Sequence, residues 1–420
     1  MLEVRASYTR KINFFKGRNQ FELIKEYGSP LYVYNEDILR ASCREMKSLL
    51  QVDNSVVYYS AKANANPHLL RIVREEGLMA DSMSPGELAL DKAAGFTRDE
   101  INYVCNNVSG EELALAAREA HLVSVDSLAQ LEEFGRQVPG GEVMIRVNPE
   151  RGGGHHEKVI TAGKNTKFGI NAEYFPDVRE ICSRCKLTVV GLNLHLGSLI
   201  MEPDLYLSAM NWMLGLVEEF PDVRYLDFGG GFGIPYHKYA GEERLDLSEF
   251  SEKATGLLKD WAAKTGYTGR FGIEPGRYVM AECGLCLGSV TAAKNNAGTC
   301  YACTDIGFNI LPRPMLYDAF HDVEIYASDG AAATRKEMPQ TIVGNICESG
   351  DILVKDYVLP EIKQGDVLGF LDAGAYCYSM ASSYTQRVRP AELLIRSDGS
   401  LKLIRRRETV EDIFSLIPDF

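Results

Sequence analysis

Up to about residue 276, short apolar runs alternate with stretches in which apolar residues recur at three- and four-residue steps. Runs such as Val56-Val57-Tyr58-Tyr59 suit buried strands, and the longer stretches suit amphipathic helices. The pattern predicts strands at 55–60, 78–82, 101–105, 122–126, 142–148, 187–195, 223–228 and 270–274. It predicts helices at 67–76, 85–95, 110–120 and 205–220 between them. Eight strands with helical crossovers in about 220 residues fit a (β/α)8 TIM-like barrel better than an open doubly wound sheet. Beyond Tyr278 the texture changes to short strands with turn signals, at 322–326, 340–347, 366–372, 392–396 and 401–404. Asp398-Gly399 marks a hairpin between the last two. The expected division is a barrel over 30–280 and a β-sandwich or β-barrel domain built from 281–420 together with 1–29.

Composition narrows the partners. A formal charge of −13 offers no positive field for a phosphate backbone, so no nucleic-acid partner is expected. The first residues are basic and lack an apolar core of the signal-peptide kind, and no run reaches the length of a membrane span. The expectation is a cytoplasmic protein without a membrane partner. Six of the ten cysteines form C-x-x-C pairs, Cys182/Cys185, Cys283/Cys286 and Cys300/Cys303. One pair falls on a predicted helix and two in or beside apolar segments, so they read as ordinary buried thiols, with no metal expected.

In a barrel of this kind chemistry gathers at the C-terminal ends of the strands. Lys62, beside small residues in Tyr-Ser-Ala-Lys-Ala-Asn, leaves room for an aldehyde to condense with its amine, or is a plain surface lysine. His195, in His-Leu-Gly-Ser198, can stack on a flat ring or sit hydrogen-bonded in the core. Gly229-Gly230-Gly231 lets backbone approach a phosphate, or makes a tight structural turn; its spacing is not that of a dinucleotide fingerprint. Glu274-Pro-Gly276-Arg277 offers a carboxylate for a pyridine nitrogen and a guanidinium for an anion, or a salt bridge at the domain junction. Further on, Cys347 has two acids close by in Cys-Glu348-Ser-Gly-Asp351, which favours a thiol proton donor over a thiolate. Tyr376 ends Asp372-Ala-Gly-Ala-Tyr.

These segments, with Ser84-Pro-Gly-Glu87-Leu, Gly154-His-His, Lys167-Phe-Gly-Ile170, Arg313-Pro-Met-Leu-Tyr317 and Arg389-Pro-Ala-Glu392, fall in an order that spans about residues 30–404. In that order the chain resembles the fold-type III pyridoxal-phosphate decarboxylases. The resemblance implies pyridoxal 5'-phosphate held as a Schiff base on Lys62, with His195 stacked on its ring. It implies that Ser198, Gly229, Gly230, Gly231, Gly276 and Arg277 surround the phosphate, that Glu274 pairs with the ring nitrogen, and that Tyr376 reaches the cofactor. It further implies a homodimer with shared sites, in which Cys347, the proton donor, and Glu348 come from the partner subunit.

The substrate is implied by the same resemblance. Arg277, Arg313 and Tyr317, with Tyr376 nearby, match positions that bind the distal carboxylate of diaminopimelate, and Glu348 matches one that pairs with its distal ammonium. Arginines buried without an anion would be costly, so a dicarboxylic substrate suits them better than ornithine or lysine. The expected reaction is decarboxylation of meso-2,6-diaminopimelate to L-lysine and CO2. A paralogous decarboxylase of another carboxylated or basic amino acid, of the D-ornithine or D-lysine type, is the alternative. A racemase would need a tyrosine base opposite the lysine, and a cofactor-free regulator would not retain Lys62, Glu274 and the glycine run. Leu199, Thr166, Cys377 and the segment 381–388 depart from the family's usual residues.

Overall fold

A computed structural model describes residues 8–149, 152–154, 161–163 and 166–418. The chain divides into two compact units, one of residues 40–234 and 244–279, the other of 1–39, 235–243 and 280–420. The boundary therefore differs from the expected 30–280: the strand at 31–35 and the segment 235–243 belong with the β unit.

In the first unit eight parallel strands close into a barrel. They are β1 (Ser55–Ser60), β2 (Met79–Ser82), β3 (Ile101–Val104), β4 (Leu122–Val125), β5 (Glu142–Arg146), β6 (Thr188–Asn193), β7 (Tyr225–Asp227) and β8 (Arg270–Ile273). Each is shorter than or equal to its predicted span, because residues just past the ladder turn into loops. β8 pairs with β1 and closes the ring. The crossover helices begin where the sequence supplies caps. Asn66 accepts from the His68 N–H before Pro67–Glu75, Ser84 from Glu87 before Pro85–Ala94, and Ser109 from Glu112 before Gly110–Glu119. The helix expected over 205–220 runs Pro203–Leu214 and gives way to a 3₁₀ turn, Val217–Glu219.

The second unit holds a nine-stranded sheet. Its centre is the strand Leu31–Asn35, all five residues buried, which pairs antiparallel with Gly284–Asn296 and parallel with Ala391–Ile395. Gly284–Asn296 is a thirteen-residue strand absent from the predicted set. Its first half is buried and its last residues are exposed, so no single periodicity runs its length. Phe14, Phe15, Leu23, Leu31, Val33, Leu285, Leu287, Leu393 and Ile395 form the core here, each burial stabilising by about 1.5–3 kcal/mol. No helix among the described residues is long and apolar enough to cross a membrane.

Candidate active site

Charge collects where the barrel strands end. Lys62 lies in the 3₁₀ turn Ala61–Ala63 that leaves β1, flanked by the buried methyls of Ala61 and Ala63. Ser60, the last residue of β1, places Oγ 2.8 Å from Asp81 Oδ2 on β2 and 3.2 Å from the Glu274 carbonyl. Arg146 ends β5, Asn193 ends β6 and Asp227 ends β7, all buried. Asn193 Nδ2 donates to Glu274 Oε1 at 3.3 Å, one residue beyond β8.

The electrostatics follow from burial. Asp81 and Glu274 are held well above the usual carboxylate range, first by desolvation and then by a neighbouring charge, that of Glu274 at Asp81 and that of Asp227 at Glu274. Lys62 offsets part of this at both, and Arg146 does so at Glu274. Asp227 is pushed up to about 7 by burial, against the pull of the Gly229 N–H and of Glu274. Burial and the neighbouring Asp227 carboxylate both disfavour the charged form of Glu274. Burial pulls Arg146 down, and the charges of Glu274, Asp126 and Asp81 support it.

His195 and the glycine turn are built as one piece. His195 Nδ1 accepts the Gly230 N–H at 3.2 Å, while the Gly229 N–H goes to Asp227 Oδ1 at 2.9 Å. The lone pair at Nδ1 fixes the neutral ring, and desolvation, Lys62 and Arg146 all push its pKa well below the usual value. Two of the three glycine N–H groups are thus already committed. What the glycines supply is close approach: a Cβ on Gly229 would lie 2.1 Å from the Leu194 carbonyl, and one on Gly230 2.1 Å from that of Glu274. At Gly229 φ is +69° as well. Arg277, buried, donates to Ser198 Oγ through Nη2 at 2.7 Å, and buried Gly276 precedes it.

The remaining candidates lie in the β unit. Arg313 is 1 % exposed and opens the short helix Arg313–Tyr317, whose Tyr317 is half-buried. Cys347 and Glu348 are exposed, and Glu348 accepts from the Tyr384 hydroxyl. Asp351 does not flank the thiol as expected. It turns inward and accepts the Phe308 and Ile346 N–H groups, each at 2.7 Å. Tyr376 is half-buried with φ +58°. His155 and His156 lie outside the described residues. Of the six C-x-x-C cysteines only Cys283 and Cys286 are fully buried; the other four are intermediate.

Three barrel residues escaped the sequence reading as site members: Asp81, Arg146 and Asn193. The available signal was a polar residue at the last or next-to-last place of an otherwise apolar strand. Asp81 Oδ1, Asn193 Oδ1 and Arg146 Nη2 are buried and meet no hydrogen-bond partner among the described residues. Buried atoms of both signs without partners, at one end of a barrel, suit a flat polar ligand with donors and acceptors around its ring.

Comparison with known proteins agrees in class: residues 36–281 match the pyridoxal binding domain of the pyridoxal-dependent decarboxylases. Diaminopimelate decarboxylase of Methanothermobacter thermautotrophicus is 39% identical over 94% of this chain and 93% of its own. That of Escherichia coli K12 is 33% identical over 95% and 96%. The crystal structure of diaminopimelate decarboxylase from Helicobacter pylori complexed with L-lysine has a TM-score of 0.84 at 28% identity, covering 94% of this chain and 98% of that one. The chain belongs to the diaminopimelate decarboxylase family.

Proposed function

We propose that the protein decarboxylates meso-2,6-diaminopimelate to L-lysine and CO2 with pyridoxal 5'-phosphate, as a homodimer. The observation that carries the reading is the set at the barrel strand ends, half-buried Lys62 and His195 with buried Asp81, Arg146, Asp227 and Glu274, in a chain of this family. When bound, the cofactor withdraws electrons from the substrate's α-carbon and so lets CO2 leave.

Lys62 would hold the cofactor's aldehyde carbon and exchange it for the substrate's amine. His195, neutral and locked by the Gly230 N–H, would lie flat against the ring. Glu274 would pair with the ring nitrogen, and a cation there favours the ionised carboxylate that burial alone opposes. Arg277, Ser198, Gly276 and the Gly229–Gly231 turn would surround the phosphate. Arg313 and Tyr317, with Arg277 and Tyr376, would take the distal carboxylate; the partner subunit would supply Cys347 as proton donor to the α-carbon and Glu348 for the distal ammonium.

Lys62→Ala tests the centre of this reading. It is expected to abolish the visible absorbance of bound cofactor and to lower CO2 release from meso-diaminopimelate at least about a thousandfold. Retained turnover in that variant would remove Lys62 from the chemistry.

A further inference from the structure

Arg313 is the largest side chain among the fully buried ones of the described residues, and what surrounds it is specific. Its Nη1 lies 2.8 Å from His321 Nε2, and His321 Nδ1 lies 2.7 Å from the Leu371 carbonyl. The guanidinium also sits 4.6 Å over the ring of Tyr236, and that ring meets His321 edge-on at 5.4 Å. A guanidinium can only donate and a carbonyl can only accept. The two contacts therefore assign the proton of His321 to Nδ1 and leave a lone pair on Nε2. His321 is 0 % exposed, so bulk solvent reaches neither contact.

We infer that His321 is a positioning residue for substrate recognition: a neutral acceptor that aims Arg313, whose distal-carboxylate role is the reading proposed above. The device has two ends. One fixes an N–H of Arg313. The other is anchored on Leu371, immediately before Asp372-Ala373-Gly374-Ala375-Tyr376, so a single imidazole ties the two segments assigned to substrate and cofactor in this unit. The Leu371 N–H donates in turn to the Asp322 carbonyl at 2.9 Å, which locks the strand end against the residue next to the histidine. A guanidinium left to rotate would meet a carboxylate in fewer of its orientations, and the loss would appear in binding rather than in the bond-breaking step.

The test uses ligands that differ at one carboxylate. L-lysine keeps the carboxylate distal to the reacting carbon; 1,5-diaminopentane lacks it. In the cofactor-loaded enzyme, His321→Phe is expected to raise KM for meso-diaminopimelate and Ki for L-lysine together, by about tenfold or more. Inhibition by 1,5-diaminopentane, the cofactor's absorbance and kcat are expected to stay within about threefold. His321→Gln, which keeps one acceptor and one donor, should restore the L-lysine Ki to within about threefold of wild type. Arg313→Ala separates the two readings. If it leaves the L-lysine Ki unchanged, the carboxylate role of Arg313 fails and this inference with it. If it raises Ki while His321→Phe does not, only the positioning role is overturned. Should the Phe variant not fold, His321→Leu replaces it; equal Ki values for the Leu and Gln variants would overturn the inference.

Discussion

Individual residues set the protonation of the barrel mouth. Asp227 has a folded pKa of about 7 against an ordinary 3.8, raised by burial. A raised carboxylate contributes stability that is complete below about pH 4 and lost as pH rises through about 7. Asn at this position keeps the acceptor for the Gly229 N–H and supplies a permanent donor toward Glu274. In the cofactor-free protein, wild type is therefore expected to lose stability relative to Asp227→Asn between about pH 4 and pH 7. Thermal unfolding of the two at several pH values checks it, and parallel curves would show that Asp227 does not titrate in this range. At this scale the sequence was informative where a residue stands outside a strand. Lys62, His195 and Glu274 each follow an apolar run and were legible. Asp81, Arg146 and Asn193 are the final polar letters of the runs themselves, and their burial depends on neighbours tens of residues away. Arg313 was legible only by resemblance, and His321 not at all, because the contact that gives it meaning joins two segments 50 residues from each other.

Elements explain why the turn after β7 is glycine. Its three glycines are wedged against backbone carbonyls of the loops leaving β6 and β8, at distances no side chain allows. Gly230 is the cleaner probe, since its φ is not left-handed and the obstacle is purely steric: a Cβ there would meet Glu274 O at 2.1 Å and Glu274 C at 2.9 Å. The nearest atoms are all backbone, of Glu274 and Pro275, and none is a flexible side-chain end, so Gly230→Ala must shift the turn, and with it the N–H that locks His195. The expected result is a loss of cofactor affinity of about tenfold or more, or about 1.4 kcal/mol, read by fluorescence titration of the cofactor-free variant. Unchanged affinity would mean that the turn is structural only. The barrel strands were legible because parallel strands buried on both faces read as continuous apolar runs. The β unit was less so: Leu31–Asn35 reads like a barrel strand, being equally apolar, and only its pairing with Gly284–Asn296 and Ala391–Ile395 shows where it belongs.

At the scale of the whole molecule, the reading proposed above takes the proton donor of each site from the other subunit. Cys347 and Glu348 are exposed on the β unit, while Lys62 stands at the barrel mouth. If two subunits share each site, a subunit lacking Lys62 and a subunit lacking Cys347 complement each other. Each variant alone has every site defective. In a mixed dimer one site carries both substitutions and the other carries neither. Random pairing makes about half the dimers mixed, and half the sites in those are intact, so co-expressed Lys62→Ala and Cys347→Ser chains should recover about a quarter of wild-type activity. Sites contained within one subunit would show no recovery beyond the sum of the two variants. Separately tagged chains, purified through both tags, raise the expected value to about half, because only mixed dimers remain. That doubling distinguishes a shared site from residual activity in the Cys347 variant, which dual-tag purification would leave unchanged per chain able to bind cofactor.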